Sequence, residues 1–322
     1  MTLNHGFRIV GSCAEERRAV NWPAAFAAYT ALDERAEVNR EGYLSAFTFG
    51  DDFRHYLDAT GSTKGFSGAC CAPWLWFDFD REDNLDAARR DCCRLALSLV
   101  ERYRIDDDAL LLFFSGSKGF HAGLPTALWT PTPSTTFHTV ARRFAETLAA
   151  AVEVRIDSGV YDRVRAFRAP NSRHSKTGRH KRRFTLDELT GLSIGSILDR
   201  SKEPAPFDLP TPPPPNAKAL DDWRAAADLV ERETTAKAQR RAAPAGGATL
   251  NRSTLEFLRE GAGTGDRHRL LFAAAANLAE FGCPPPLAHA LLIEAALDTG
   301  LPPAEVRRQI DCGLAHARGG AS

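Results

Sequence analysis

Residues 74–80 read Trp-Leu-Trp-Phe-Asp-Phe-Asp, an apolar run that ends in two carboxylates, Asp78 and Asp80. In a strand, residues i and i+2 project from the same face, so the pair should leave the end of a buried strand together. Like charges held that close repel unless a cation lies between them. Ligands that are all oxygen select a hard ion, Mg²⁺ or Mn²⁺. A DxD alone is a weak sign, because two solvated aspartates can end any strand. A second group, Ser115-Gly116-Ser117-Lys118-Gly119-Phe120-His121, follows the apolar run 110–114. Its glycines permit a tight turn with N–H groups aimed outward, a nest for phosphate oxygens, and Lys118 adds a point charge. Alternation beyond the turn puts Phe120, Ala122 and Leu124 on one face and His121 on the other, with the loop's polar groups. The loop is not a Walker A sequence, because none of the chain's seven lysines follows a glycine. The third group begins at Asp157, at the end of the alternating run Val152, Val154, Ile156. From Arg163 to Arg183 there are then nine Arg or Lys and no Asp or Glu. A third carboxylate can complete a two-metal site, and Arg, Lys, Ser and His at this density can grip a triphosphate. Metals about 3.5–4 Å apart would align an attacking 3′-oxygen, an α-phosphate and a leaving pyrophosphate.

The elements that must position these groups are visible in the hydrophobic pattern. Apolar residues at 85, 88, 92, 95, 96, 99 and 103 predict an amphipathic helix over 84–103, with Asn84 as its cap. Ser134 is placed to cap a second helix whose inner face is Phe137, Val140, Phe144, Leu148 and Ala151. Residues 74–79 and 110–114 read as buried strands and 152–156 as a half-buried one. Seven prolines within 203–216, including Pro212, Pro213, Pro214 and Pro215, predict an exposed, semi-rigid extended linker. Beyond it the pattern is helical: a charged helix over 219–241, broken by Pro244, Gly246 and Gly247, then short helices near 250–259, 266–281, 285–298 and 303–316. The expected fold is α+β: a mixed catalytic domain over 1–203, a linker over 204–217, a connecting helix over 218–247 and a small all-α bundle over 248–322.

Composition supports this reading. The chain has 322 residues, 43% of them hydrophobic and 25% charged, which suits a globular protein of about two domains. No apolar run approaches the ~18 residues of a membrane span, and the N-terminus has no basic start before a long apolar stretch, so neither a membrane protein nor a secretory signal is expected. Seven cysteines, with Cys70/Cys71 and Cys92/Cys93 adjacent, fit neither a disulfide framework nor a zinc knuckle. Free thiols in a reducing cytoplasm are expected. Formal net charge is zero, yet the basic segment leaves the rest of the chain acidic. Positive charge is therefore concentrated where a polyanion would be held rather than spread over the surface.

In their order and context, these three groups resemble the three motifs of the archaeo-eukaryotic primase superfamily, over roughly residues 40–190. The resemblance implies an RRM-like sheet with flanking helices. It makes Asp78, Asp80 and Asp157 the catalytic, metal-binding triad for two Mg²⁺ or Mn²⁺ ions. Ser115, Ser117, Lys118 and His121 match the motif that holds the incoming nucleotide's phosphates. Arg168, Ser172, His174 and Lys176 match the continuation of the third motif, which also meets the triphosphate. Residues 265–271 (Gly-Asp-Arg-His-Arg-Leu-Leu), then Leu278, Gly282, Glu305, Val306 and Ile310, resemble the helical primase C-terminal domain of plasmid and phage primases. The implied activity is that of a primase or primase-polymerase, a nucleotidyltransferase acting on NTPs or dNTPs over a single-stranded DNA template. A separate helicase or other replication proteins are the implied partners, and a membrane is not. One departure is the absence of the Cys/His zinc module that many members insert, so no zinc is expected.

Three rivals stand beside this reading. A DxD glycosyltransferase would use the strand-end carboxylates with Mn²⁺ but leaves the Ser-Gly-Ser-Lys-Gly-Phe-His loop and the basic segment without a task. A Toprim arrangement needs a glutamate ending an apolar strand upstream, and Glu41 follows Glu37-Val38-Asn39-Arg40, which is no buried strand. A non-catalytic replication-initiation or defence protein would bind nucleic acid with a decayed core, against which the intact Asp78, Asp80, Asp157, His121 and His174 speak.

Overall fold

A computed structural model gives the fold and describes residues 3–81, 84–242, 250–263 and 265–319. The chain divides into two units, Met1–Lys237 and Ala238–Ser322. The first is α+β. Its strands are β1 (His5–Val10), β2 (Arg18–Asn21), β3 (Gly42–Ser45), β4 (Thr48–Phe49), β5 (Cys70–Cys71), β6 (Trp74–Asp80), β7 (Leu111–Phe114), β8 (Gly119–Pro125), β9 (Ala166–Arg168) and β10 (Arg182–Phe184). One antiparallel sheet runs β5-β4-β1-β3-β9, with β2 added to β1; the other runs β10-β7-β8-β6. Between them lies a single core rich in aromatic rings. Phe167 of the first sheet packs on Trp76 of the second, with ring centroids 5.3 Å apart.

Period two explains β6. Leu75, Phe77 and Phe79 point one way, against helix α3 (Leu85–Tyr103), and Trp74, Trp76, Asp78 and Asp80 point the other. The helices of this unit are α1 (Trp22–Ala31), α2 (Asp51–Thr60), α3 (Leu85–Tyr103), α4 (Phe137–Ala150), α5 (Leu186–Gly191), α6 (Ile194–Arg200) and α7 (Ala217–Ala242). Helix α3 starts as its spacing predicts, with Asn84 Oδ1 accepting from the Ala87 N–H at 2.9 Å.

Two local expectations are corrected. Ser134 does not cap α4: it exchanges backbone hydrogen bonds with Cys70 at the edge of the sheet, and α4 begins at Phe137 without a side-chain cap. Residues 152–156 form no strand. Helix α4 ends in a turn in which Glu153 takes φ 56°, and the chain then passes β6 with one backbone bond, Asp157 N–H to Asp78 O, at 2.9 Å. Alternation alone cannot register that left-handed residue.

The proline-rich segment has no helix or strand, as its composition requires. Most of its residues are exposed, as expected, but it is a strap fastened to the core rather than a free linker. Asn171 exchanges two hydrogen bonds with the Ala205 backbone, Phe207 N–H donates to Thr30 O at 3.1 Å, and the Phe207 ring meets Phe113 at 5.7 Å. Asn216 then binds Leu128 O and Tyr103 O and caps α7. Trp223 of α7 stacks on Trp129 and packs against Phe137 and Phe144. The strap and most of α7 therefore belong to the first unit, not to a linker between domains. The expected break at Pro244, Gly246 and Gly247 lies outside the described residues.

The second unit contains α8 (Arg252–Glu260), α9 (Arg267–Glu280), α10 (Pro285–Asp298) and α11 (Pro303–Gly319) around its own core of Phe257, Leu271, Leu278, Leu292, Val306 and Ile310. These are the helices that the 3–4 spacing predicts. All seven cysteines are free, and no helix among the described residues is long and apolar enough to cross a membrane.

Candidate active site

Antiparallel pairing of β6 with β8 sets the site's register: Asp78 stands opposite His121, and Asp80 opposite Gly119. His121 Nε2 lies 3.5 Å from Asp78 Oδ1, and Lys118 Nζ lies 3.3 Å from Asp80 Oδ2. Position 119 must be glycine, because a Cβ there would strike both the Asp80 carboxylate and the Phe79 carbonyl. The turn before it is braced from within. Ser115 Oγ accepts from the N–H groups of Ser117 and Gly119, at 3.4 and 3.2 Å, while Gly116 takes φ 88° against the 179–180 backbone. The Ser117 and Gly119 N–H groups thus point into the turn at Ser115, and the outward nest expected of this loop is not formed by them.

Asp78 Oδ1 is buried and has no hydrogen-bond partner. Burial, then repulsion from Asp80 and Asp157, push its carboxyl up to about 7; Lys181 and Arg165 pull the other way. The His121 ring is buried and leans on Phe167, 4.5 Å between centroids. Burial and the nearby Lys181 and Arg168 charges hold its pKa well below the ordinary histidine range, so it stands neutral.

Across from the carboxylates, the chain around β9 supplies cations. Asp78, Asp80, Ser115, Ser117, Lys118, His121, Arg165, Arg168 and His174 all line one cavity of about 460 Å³, together with Cys13, Arg17, Tyr43 and Asp162. Arg168 is fixed by Glu41 Oε1 at 3.1 Å and Tyr43 Oη at 3.0 Å, its guanidinium 4.9 Å from the Tyr43 ring centre. This bond to Arg168 is the task of Glu41, the residue that a Toprim reading would have placed with the DxD. His174 is held below the ordinary histidine pKa by burial and by Arg168, and its Nδ1 accepts from the Thr177 N–H at 3.3 Å.

Three expected site residues stand apart from this cavity. Ser172 is fully buried, and its hydroxyl is committed to the carbonyls of Gly42 and Ala169, at 3.1 and 2.8 Å. It braces the turn after β9 and has no donor left for a phosphate. Lys176 sits exposed in the turn beyond His174. Asp157 is beside Asp78 through its backbone, but its carboxylate accepts from the Gly159 N–H at 2.8 Å and caps the 3-10 turn Ser158–Tyr161. It acts on Asp78 through its charge.

The basic segment is divided in the same way. Arg165 and Arg168 face the cavity, whereas Arg163 donates to Phe66 O and Thr135 O, Arg182 to Glu203 O, and Arg183 to Asp208 O. The reading from sequence missed Tyr43, Arg17 and Lys181. Lys181 carried no such signal: it lies three residues ahead of the buried Phe184, so period two alone assigns it to the opposite face.

The Asp78–Asp80 pair fits a divalent cation, on the ground that Asp78 Oδ1 is a buried acceptor with nothing to accept from and a like charge beside it. Among the described residues no three His, Cys, Asp or Glu side chains form a ready ligand group, so the pair is the core of the site and Asp157 is its neighbour.

The first unit is thus a two-sheet α+β core whose carboxylates Asp78 and Asp80 share one cleft with the guanidinium groups of Arg165 and Arg168. No protein-family profile matches the chain, and no curated protein does. Among solved structures it is similar to the crystal structure of primase RepB', at 13% identity, covering 98% of this chain and 93% of that one, with a TM-score of 0.37.

Proposed function

We propose that the chain is a nucleotidyltransferase of the primase or primase-polymerase type, making primers from NTPs or dNTPs on single-stranded DNA. The observation that carries this reading is the polarity of one cavity. Asp78 and Asp80 of β6, His121 of β8, Arg165 and Arg168 at β9 and His174 beyond it all line it. Such a cleft suits a nucleoside triphosphate with its cations, because each charge of the ligand meets its opposite.

Arg168 enters already oriented, so little side-chain entropy is lost when its remaining N–H groups take phosphate oxygens. Neutral His121 can donate one N–H to an oxygen of the triphosphate without adding a charge that would repel a cation at Asp78. Lys118, beside Asp80, and His174 supply further donors at the rim. Asp78 and Asp80, with Asp157 adjacent, would hold Mg²⁺ or Mn²⁺, which supplies charge neutralisation for an in-line attack on the α-phosphate. The hinge of the reading is therefore the carboxylate pair.

The test is primer synthesis on single-stranded DNA with Mg²⁺ and Mn²⁺ tried separately, comparing the wild type with Asp78→Ala, Asp80→Ala and Asp157→Ala. Losing cation binding removes several kcal/mol from the transition state, and each 1.36 kcal/mol is about tenfold in rate. Extension should fall below detection for Asp78→Ala and Asp80→Ala. Near-wild-type extension by either would remove the assignment, and near-wild-type extension by Asp157→Ala would reduce the triad to a pair.

A further inference from the structure

Of the Asp, Glu, Lys and Arg side chains among the described residues, Lys181 alone is closed off from solvent, at 1% exposure. Its ammonium sits among three rings, 4.2 Å from the centre of Phe167, 4.8 Å from Phe113 and 5.1 Å from Trp76. These rings come from β9, β7 and β6, so the lysine joins the inner faces of both sheets. An ammonium in such surroundings costs the fold desolvation energy that an apolar side chain of the same length would not. Packing alone gives no reason for a lysine here.

Its hydrogen bonds do. Lys181 Nζ donates to the Arg168 carbonyl at 2.8 Å. Its backbone is tied to the same turn, with the Lys181 N–H donating to Ser172 O at 3.0 Å and Lys181 O accepting from the Asn171 N–H at 2.8 Å. Arg168 is therefore held at both ends: its carbonyl by Lys181 from inside the core, its guanidinium by Glu41 and Tyr43 at the cavity. We propose that Lys181 is a positioning residue, which fixes the backbone of Arg168 so that the guanidinium stands ready for a triphosphate. The assignment rests on the nucleotide reading of the cavity, and it adds to that reading a buried residue that touches no ligand. Burial, helped by the Arg168 charge, pulls the Lys181 pKa well below the ordinary lysine range, against the Asp78 carboxylate and the ring faces, which favour the ammonium; either form can donate to the Arg168 carbonyl.

The experiment uses the full chain, inorganic triphosphate as the probe and titration calorimetry as the readout, with thermal melts alongside. Lys181→Met keeps length and apolar packing, and its melting temperature should equal or exceed the wild type's. Its triphosphate affinity should nevertheless fall at least tenfold, and so should that of Arg168→Ala. Because the lysine acts through the arginine, the double variant should bind no worse than Arg168→Ala alone. Affinity within twofold of wild type in Lys181→Met, or losses that add in the double variant, would overturn the proposal. Failure of Lys181→Met to fold would overturn it too, since the lysine would then be a strut of the core. A wild type that binds triphosphate yet adds no nucleotide would sink the primase reading and leave the Lys181–Arg168 coupling to stand. A wild type that binds no triphosphate would sink both.

Discussion

Asp78 carries the strain of the site at the scale of one residue. Its carboxyl is pushed up from 3.8 to about 7 by burial first and then by Asp80 and Asp157. Between those values the folded chain keeps a proton that the unfolded chain has released, so this group makes stability fall as pH rises from about 4 through about 7. Asp78→Asn cannot ionise and should lose that slope. In thermal melts at pH 5 and pH 8, the variant should gain on the wild type at the higher pH, at about 1.4 kcal/mol per pKa unit relieved. No relative gain would mean that Asp78 is solvated. Added Mn²⁺ should recover wild-type stability at pH 8, because it binds the ionised form. The two histidines make a different test. His121→Ala and His174→Ala should raise the apparent KM for the triphosphate and spare single-stranded DNA binding; loss of DNA binding at unchanged KM would assign the residue to the template path. Ser172→Ala separates brace from ligand: it should cost about 1 kcal/mol of stability in denaturant melts and leave that KM unchanged.

At the scale of elements, the β6–β8 ladder and its turn set what Asp80 can do. Gly119→Ala would drive a methyl group into the Asp80 carboxylate and the Phe79 carbonyl, so it should lower nucleotide addition at least tenfold while circular dichroism stays close to wild type. Undiminished activity would show that the turn can shift without cost. Much of this ladder was legible in the sequence. The apolar run into Asp78 and Asp80, the glycine turn and the alternation that places His121 are all consequences of period two, which a strand cannot hide. Helix α3 announced itself through spacing and Asn84. The failures have a common cause. Whether Val152, Val154 and Ile156 make a strand depends on a neighbour to pair with, and the backbone offers only the single bond at Asp157. Ser134 had two possible partners, and Cys70, 64 residues earlier in the chain, outcompeted the helix end. Ser172 is spoken for by Ala169 O in its own turn and by Gly42 O, brought near by the pairing of β3 with β9, and Lys181 by Arg168 O, which reaches it only when the two sheets meet. Local pattern reports faces, and long-range pairing decides which polar groups remain available on them.

At the scale of the molecule, the strap relocates the boundary that matters for any fragment. A chain ending near 203 lacks Phe207 and Trp223, and so uncovers Phe113 on one side and Trp129, Phe137 and Phe144 on the other. It should aggregate or melt well below the intact protein. A chain ending at Lys237 keeps these contacts and should be soluble by size-exclusion chromatography, and it should extend a supplied primer. If instead the 1–203 fragment is as stable as 1–237, the strap is an ornament. De novo initiation holds two nucleotides without a primer and demands more, so 1–237 should initiate poorly if the helical unit supplies extra hold. That hold would have to come from residues already engaged within their own unit: Arg252 with Glu256, His268 with Glu305, Arg269 with Asp266, and Arg267 with Thr299 O. The strap also sets a schedule. Translation delivers the chain from its N-terminus, and every side chain lining the cavity has been made by His174. Asn171, which steadies the turn beside Arg168, must still wait for Ala205, and the surface behind α4 for Trp223. A ribosome-bound chain therefore owns all the parts of its cleft before it can hold them still, and charged nucleotide should find no settled site until synthesis has passed α7.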